Sequence, residues 1–387
     1  MKLTLQTQIL PDATDAARLK ATVERFNEAA DWLAGFAFER RVSNKRVLQK
    51  LAYRELRERF DISSQMAVRC IAQVCEAYKR DKSIRPRFRK HAAVPYDKRL
   101  MSFKGPDRVS LLTLEGRVLV PVVMGKYQAE RFTPAHGQCD LVLREDGRWF
   151  LLVTVDLPEG TKTPATDFIG VDLGIINIAT DSDGETHSGD DVERTRQHYA
   201  DQRRGLDRAA GAVRRRGKRP KSIRKARRRA ARRESRFRKD RNHVISKQLV
   251  AKAKDTGRGI GLEDLKGIRD RTTVRKPQRA RHSGWSFFQL RTFVEYKAKL
   301  SGVPVVLVDP RDTSRTCPEC GHCEGANRKS QSEFECRVCG HRSPADLVGA
   351  RNIASRARVQ VMAPQVAESR PKGRVVRRQV FGQAAPL

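Results

Sequence analysis

Three carboxylates stand where a carboxylate is costly. Asp172 lies within the apolar run FIGVDLGI (168–175), Glu263 near the end of GIGLEDL (259–265) and Asp346 at the start of ADLVGARN (345–352). Taking an unpaired charge out of water costs roughly several kcal/mol or more. No basic residue adjoins Asp172 in its run, so the expected partner is a metal ion. Hard oxygen donors suit magnesium, and two such ions clamping the attacking and leaving oxygens hydrolyse a phosphodiester. Taken singly, each acid has an ordinary alternative: Asp172 a turn cap, Glu263 a salt bridge to one of many arginines, Asp346 the N-cap of its helix. Their order on strand, strand and helix favours a shared site.

The second chemical pattern is C-x2-C-x15-C-x2-C, formed by Cys317, Cys320, Cys336 and Cys339, with each pair followed by Gly-His. Four thiolates satisfy one tetrahedral zinc and leave no open position, so this zinc is expected to be structural. A disulfide framework is the alternative, disfavoured in a reducing compartment. Cys323 repeats the spacing of the first pair and is a spare, with Cys317 and Cys320 favoured as ligands. Cys70, Cys75 and Cys139 read as small core residues.

Positioning these groups takes a long and very basic chain. Its 387 residues carry 80 Lys plus Arg against 45 Asp plus Glu, a net charge of +35. That balance suits a polyanionic partner, with nucleic acid foremost. No apolar run reaches membrane-spanning length and the N-terminus lacks a signal-peptide core, so a cytosolic protein without a membrane partner is expected. Between Arg214 and Arg241, seventeen residues are basic and two acidic. A solvated face interleaves both signs, so Arg214, Arg215, Arg216, Arg224, Arg227, Arg228, Arg229, Arg232 and Arg233 are expected to contact phosphates. Gly217 and Pro220 break the run into two helices joined by a turn. Arg85 and Arg87, in SIRPRFRKH, are further candidates, as is the polar segment 269–285, which also reads as a lid over the acids or as an ordinary loop.

The pattern of elements implies a multidomain α+β chain. A first strand precedes three helices whose apolar positions include Leu19, Val23, Phe26, Leu33, Leu48, Leu51, Met66, Cys70 and Val74. Short strands with turns at Glu115-Gly116 and Asp146-Gly147 follow, giving a β-barrel (1–11 and 91–157) with a helical bundle inserted (12–90). An α/β unit begins near Thr166, with residues 167–186 read as one hairpin turning at Asp183-Gly184. Phe287, Leu290 and Val294 share a core-facing helical stripe, so the nearby Trp285 and Phe288 are not read as base-stacking residues. The α/β unit spans 158–315 and 343–360, the cysteine module 316–342, and 361–387 read as a disordered tail.

Together, GVDLGI, GLEDL and TSRTCPECGH…FECRVCGH…ADLVGARNI resemble the TnpB proteins of bacterial insertion sequences, relatives of the compact type V CRISPR nucleases. The resemblance implies an RNase H-like (RuvC) nuclease domain with a zinc ribbon, a wedge-like barrel and a helical recognition insertion. It matches Asp172, Glu263 and Asp346 to the family's catalytic carboxylates, which hold two magnesium ions. It further implies a guide RNA transcribed from the element's end, DNA cleavage beside a short adjacent motif, and a monomer bound to RNA in the bacterial cytoplasm, on the nucleoid when DNA-bound. One departure is Val348, where the family usually carries Asn; Asn352 is kept. The rivals are a CRISPR effector, a guided repressor that does not cut, and a transposition accessory.

Overall fold

A computed structural model describes residues 1–133, 136–161, 163–266 and 286–362. The chain divides into two units, Met1–Pro158 and a second starting at Glu159. The segment 269–285 and the tail from 363 onward lie outside the described residues. No described helix is long and apolar enough to cross a membrane.

In the first unit, β1 (Lys2–Ile9) leads into α1 (Ala13–Glu39), α2 (Lys45–Phe60) and α3 (Ser64–Tyr78). Each helix opens on a side-chain cap: Asp12, Asn44 and Ser63 accept from the backbone N–H of Asp15, Arg46 and Met66, satisfying donors the helix itself leaves unpaired. Then come β2 (Val94–Tyr96), β3 (Met101–Phe103), β4 (Arg108–Thr113), β5 (Gly116–Val123), the single turn α4 (Lys126–Ala129), β6 (His136–Leu143) and β7 (Trp149–Asp156). These strands form one antiparallel sheet, ordered β2-β6-β7-β1-β5-β4-β3. Its end strands are neighbours in sequence, and Tyr96 of β2 donates to Leu112 O of β4 at 2.9 Å, so the sheet curls nearly shut. The helices do not keep a core of their own. Phe26, Leu33, Leu56 and Ile71 join Leu5, Tyr96 and Val153 in one buried cluster.

Leu51 is a correction to the helical reading. It is 50% exposed, because α2 buries Leu48, Ala52, Leu56 and Phe60, a strict four-residue stripe that leaves position 51 a turn-third away. The hairpin turn expected at Glu115-Gly116 lies one residue earlier, since Gly116 already pairs with Thr113 as the first residue of β5.

The second unit is built on a five-stranded sheet, ordered β10-β9-β8-β11-β12. β8 (Phe168–Asp172), β9 (Asn177–Asp181) and β10 (Thr186–Ser188) form an antiparallel meander, whereas β11 (Gly259–Glu263) and β12 (Val305–Val308) run parallel to β8. The single hairpin expected over 167–186 is therefore two turns. The first, 173–176, is tight: a Cβ on Gly174 would stand 2.6 Å from Asn177 O. Strand β8 ends at Asp172, which puts that acid at a strand terminus and not in the middle of an apolar run.

Helices α5 (Asp190–Arg215) and α6 (Lys221–Asp255) form the expected pair, joined through Gly217 at φ 71°. The C-terminal part of α6 packs with α7 (Phe287–Ser301) on one face of the sheet through Ile245, Leu249, Leu290 and Val294. On the other face lies α8 (Ala345–Met362), which runs two residues past the expected end of the α/β unit at 360, with Ile353 and Ala357 against Phe168 and Val308. Between β12 and α8 the chain carries the cysteine pairs and the small hairpin β13 (Glu333–Glu335) and β14 (Arg342–Pro344).

Candidate functional site

Alternation along a strand sends successive side chains to opposite faces, and this places the acids. Ile169 and Val171 of β8, with Ile260 and Leu262 of β11, turn toward α6 and α7. Phe168, Gly170 and Asp172 therefore share the α8 face, as do Gly259, Gly261 and Glu263. Gly170 pairs with Gly261 and Val171 with Leu262, so Glu263 follows one step beyond the last pair, level with Asp172. The two strands thus repeat one pattern, Gly-Val-Asp and Gly-Leu-Glu.

The glycines admit α8. A Cβ at Gly170 would stand 2.0 Å from Ala350 O and 2.4 Å from Ala354 N; at Gly261 it would meet the Ala357 Cβ at 3.1 Å. With hydrogen at these positions the helix lies directly on the strands and carries Asp346 to the same end of the sheet. Asp346 is the second residue of α8, within its first turn and not its N-cap. Gly349, one turn on, faces the Asp172 carboxylate.

The three charges act on one another. Burial, together with the negative charges of Glu263 and Asp346, pushes the Asp172 carboxyl up to about 7 against the opposing positive charge of Arg328. Burial also raises Glu263, against a hydrogen bond from Thr313 and the positive charges of Arg356 and Arg328. Among the described residues none of the three acids is ion-paired. Neutral donors hold two of them: Thr313 Oγ1 donates to Glu263 Oε1 at 2.5 Å, and Asn177 Nδ2 to Asp346 Oδ2 at 2.9 Å. Half-buried oxygen donors that repel one another and lack a cationic partner fit a hard divalent cation.

The four cysteines meet more closely. Cys317, Cys320, Cys336 and Cys339 have all their sulfurs within 4.8 Å of one another, a closeness that no other group of three or more His, Cys, Asp or Glu side chains among the described residues reaches, the three acids included. Cys317–Cys339 and Cys320–Cys336 are each 3.6 Å apart, far beyond a disulfide bond and near the edge of about 3.8 Å of a tetrahedron with metal–sulfur bonds of about 2.3 Å. The two knuckles repeat one another. In each, the first cysteine N–H donates to a histidine carbonyl, His322 or His341, at 2.9 Å, and its carbonyl accepts from Gly321 or Gly340 at 3.0 Å. Both glycines take positive φ, 75° and 72°, a conformation in which a Cβ is penalised. Buried Asn327 ties the knuckles together, donating to Arg315 O and His322 O and accepting from Arg337 N. Cys323 is exposed and outside the cluster, forming a backbone bridge with Thr316. Val348 is fully buried beside Cys317, Phe334 and Cys336, so the departure from the family pattern packs the cysteine module onto α8.

The helical pair carries its arginines outward. Arg214, Arg215, Arg216, Arg224, Arg227, Arg228, Arg229, Arg232 and Arg233 are all exposed. Arg227 is engaged by Asp207 at 2.8 Å, and buried Glu234 binds Arg203 across the pair. In the first unit Arg85 is turned inward: it donates to Asp31 O at 3.0 Å, and a Cβ on Gly35 would touch its guanidinium. Arg87 remains exposed.

Sequence reasoning missed Thr313 and Asn177, polar residues in otherwise unremarked stretches, and saw Asn352 without a task for it. Asn352 Nδ2 donates to Thr313 O at 2.7 Å and Thr316 O at 2.8 Å. An asparagine among the small apolar residues of α8 was the available signal, since a buried amide must find partners.

Residues 151–267 match the OrfB/IS605 family, described as "Probable transposase", and residues 287–353 match the "Cas12f1-like, TNB domain" family. The chain is 31% identical over 246 residues to the CRISPR-associated endodeoxyribonuclease Cas12f1 of Sulfoacidibacillus thermotolerans, covering 60% of this chain and 54% of that protein. It is 28% identical over 302 residues to InsQ of Escherichia coli K12, provisionally named an RNA-guided DNA endonuclease, covering 73% of each. It is 37% identical over 122 residues to the TnpB-like protein MJ0751 of Methanocaldococcus jannaschii, covering 31% of this chain and 43% of that one. The chain spans about half the length of the two Cas12f1 relatives that it matches over 60% and 65% of its own. Its fold is similar to the protein of a Cas12f1–sgRNA–target DNA complex solved by cryo-EM, with a TM-score of 0.61, 14% identity, and coverage of 87% of this chain and 82% of that one.

Proposed function

We propose that this chain, a relative of the TnpB-like and Cas12f proteins, is an RNA-guided DNA endonuclease of an insertion sequence that hydrolyses the phosphodiester backbone with magnesium. The observation that carries the reading is the gathering of Asp172, Glu263 and Asp346 at one end of one sheet face. There burial and the charges of the other two raise Asp172, and no described residue ion-pairs with any of the three. The strand order, an antiparallel meander extended by two parallel strands, supports an RNase H-like (RuvC) domain, and the four-cysteine cluster supports a structural zinc ribbon.

Bound magnesium would supply the charge that activates water and stabilises the phosphate under attack. The chain does the rest. Asp172 and Glu263 present carboxylates from rigid strand ends, and Asp346 comes from a helix locked to those strands by the glycine contacts. Thr313 and Asn177 orient two of the three. The outward arginines of α5 and α6 neutralise phosphates without reading bases, while pairing with a guide RNA selects the DNA. The work is done on the nucleoid, in the cytoplasm.

The test is to sequence the RNA that co-purifies with the protein, build DNA matching it beside randomised flanks, and add magnesium. Cleavage of matched DNA beside a recurrent flank supports the reading; no specific RNA and no cleavage would refute it. The CRISPR-associated names of two relatives favour a second reading with the same chemistry, in which the guide comes from a repeat array. The sequence of the bound RNA separates the two.

A further inference from the structure

Glu263 is a long side chain at the end of a strand, with several rotatable bonds and no ion pair among the described residues. Magnesium demands near-ideal octahedral geometry, so something must hold this carboxylate. The only hydrogen bond to it within the described residues comes from Thr313 Oγ1, whose residue is 3% exposed.

Thr313 is itself fixed from two sides. The preceding residue, Asp312, takes φ 58°, a left-handed conformation uncommon for anything but glycine. Its carbonyl accepts from Arg315 N, Thr316 N and Thr316 Oγ1, turning the loop after β12 so that residue 313 points inward. Helix α8 then clamps the loop. Asn352 donates to the carbonyls of Thr313 and Thr316, and Arg356, one helical turn on, donates to those of Asp309 at 2.8 Å and Arg311 at 2.5 Å. Two side chains on one face of the helix that bears Asp346 thus hold four carbonyls of the loop that bears Thr313.

We infer that Thr313 is a positioning residue for the cleavage reaction. Its hydroxyl, aimed by the clamp of Asn352 and Arg356, occupies Glu263 Oε1 and fixes the carboxylate relative to Asp346 for a divalent cation. The inference rests on Glu263 being a metal ligand, as proposed above. Partners behind a metal ligand set its orientation, and their loss typically weakens metal binding or activity by about 10–100-fold.

The experiment compares Thr313→Val, which keeps the branched shape and removes the hydroxyl, with Thr313→Ser, which keeps the hydroxyl. Mn2+ is the probe, titrated by electron paramagnetic resonance into the full chain freed of nucleic acid. The Mg2+ concentration for half-maximal cleavage is measured on the RNA complex. Thr313→Val is expected to weaken Mn2+ binding and raise the Mg2+ requirement by about tenfold or more, with target-DNA binding within about twofold of wild type. Thr313→Ser is expected to restore both metal readouts to within about threefold. Unchanged metal binding in Thr313→Val, or equal loss in Thr313→Ser, overturns the inference. Loss of DNA binding together with metal binding overturns it in favour of a structural role. If Glu263→Gln leaves Mn2+ binding unchanged, the metal-ligand reading itself fails, and this inference with it.

Discussion

Gly349 lies against the carboxylate of Asp172: a methyl group added there would stand 3.1 Å from Oδ2 and 3.3 Å from Cγ. Glycine inside a helix costs about 0.5–1 kcal/mol relative to alanine, so its presence here reflects room kept for the acid. Gly349→Ala is expected to leave the melting temperature within a few degrees of wild type. It should displace the carboxylate by a few tenths of an ångström and slow cleavage by about tenfold or more. Single-turnover kinetics beside thermal melting will separate the two effects.

The cysteine cluster predicts its own stoichiometry. Elemental analysis should find one zinc per chain, lost in Cys336→Ser together with cooperative folding of the module, because binding to such a site is folding free energy. Cys323→Ser, outside the cluster, should keep both zinc and stability. Zinc removal should also slow cleavage, since the first knuckle begins directly after the loop that carries Thr313.

The exposed arginines of α6 should govern salt dependence. Replacing Arg224, Arg229 and Arg233 with alanine preserves helix propensity. It is expected to reduce the slope of log affinity against log salt by about 2–3, the counterions of three phosphates. Filter binding across a salt series measures the slope, and an unaltered slope would place the nucleic acid elsewhere.

Asp172 also makes a stability prediction. Its folded-state value is raised from 3.8 to about 7, so the native protein holds this proton more tightly than the unfolded chain. The associated stability is present below the ordinary carboxylate range and is lost as pH rises through about 7. In chelator, Asp172→Asn should therefore gain on wild type between pH 5 and 8, by roughly 1–4 kcal/mol. Magnesium should narrow the gap. Chemical denaturation at both pH values provides the comparison.

Much of this arrangement can be read from residue types because strand and helix periodicities are local. Gly-Val-Asp and Gly-Leu-Glu state in three letters which face is apolar, where a helix must approach and where the strand delivers its acid. The cysteine spacing likewise carries its own geometry. What stayed hidden depends on distant partners. Leu51 fits a helical stripe but is exposed, because the three helices share their core with the sheet and present a different face of α2 to it. Arg85 looks like a phosphate contact until Asp31 and Gly35 claim it. Thr313 meets Glu263 fifty positions away, through a loop shaped by a helix that comes later still, and no local pattern announces such a pairing.

The central claim is that Asp172, Glu263 and Asp346 form one cleavage centre while affinity resides elsewhere. The most direct measurement assays cleavage and target binding side by side for Asp172→Ala in the presence of magnesium. Cleavage should fall to background while guide-RNA and target-DNA affinity stay within about twofold of wild type, because removing a carboxylate removes metal binding and also relieves repulsion of the DNA backbone. Cleavage persisting in Asp172→Ala, or binding lost along with it, would contradict the account.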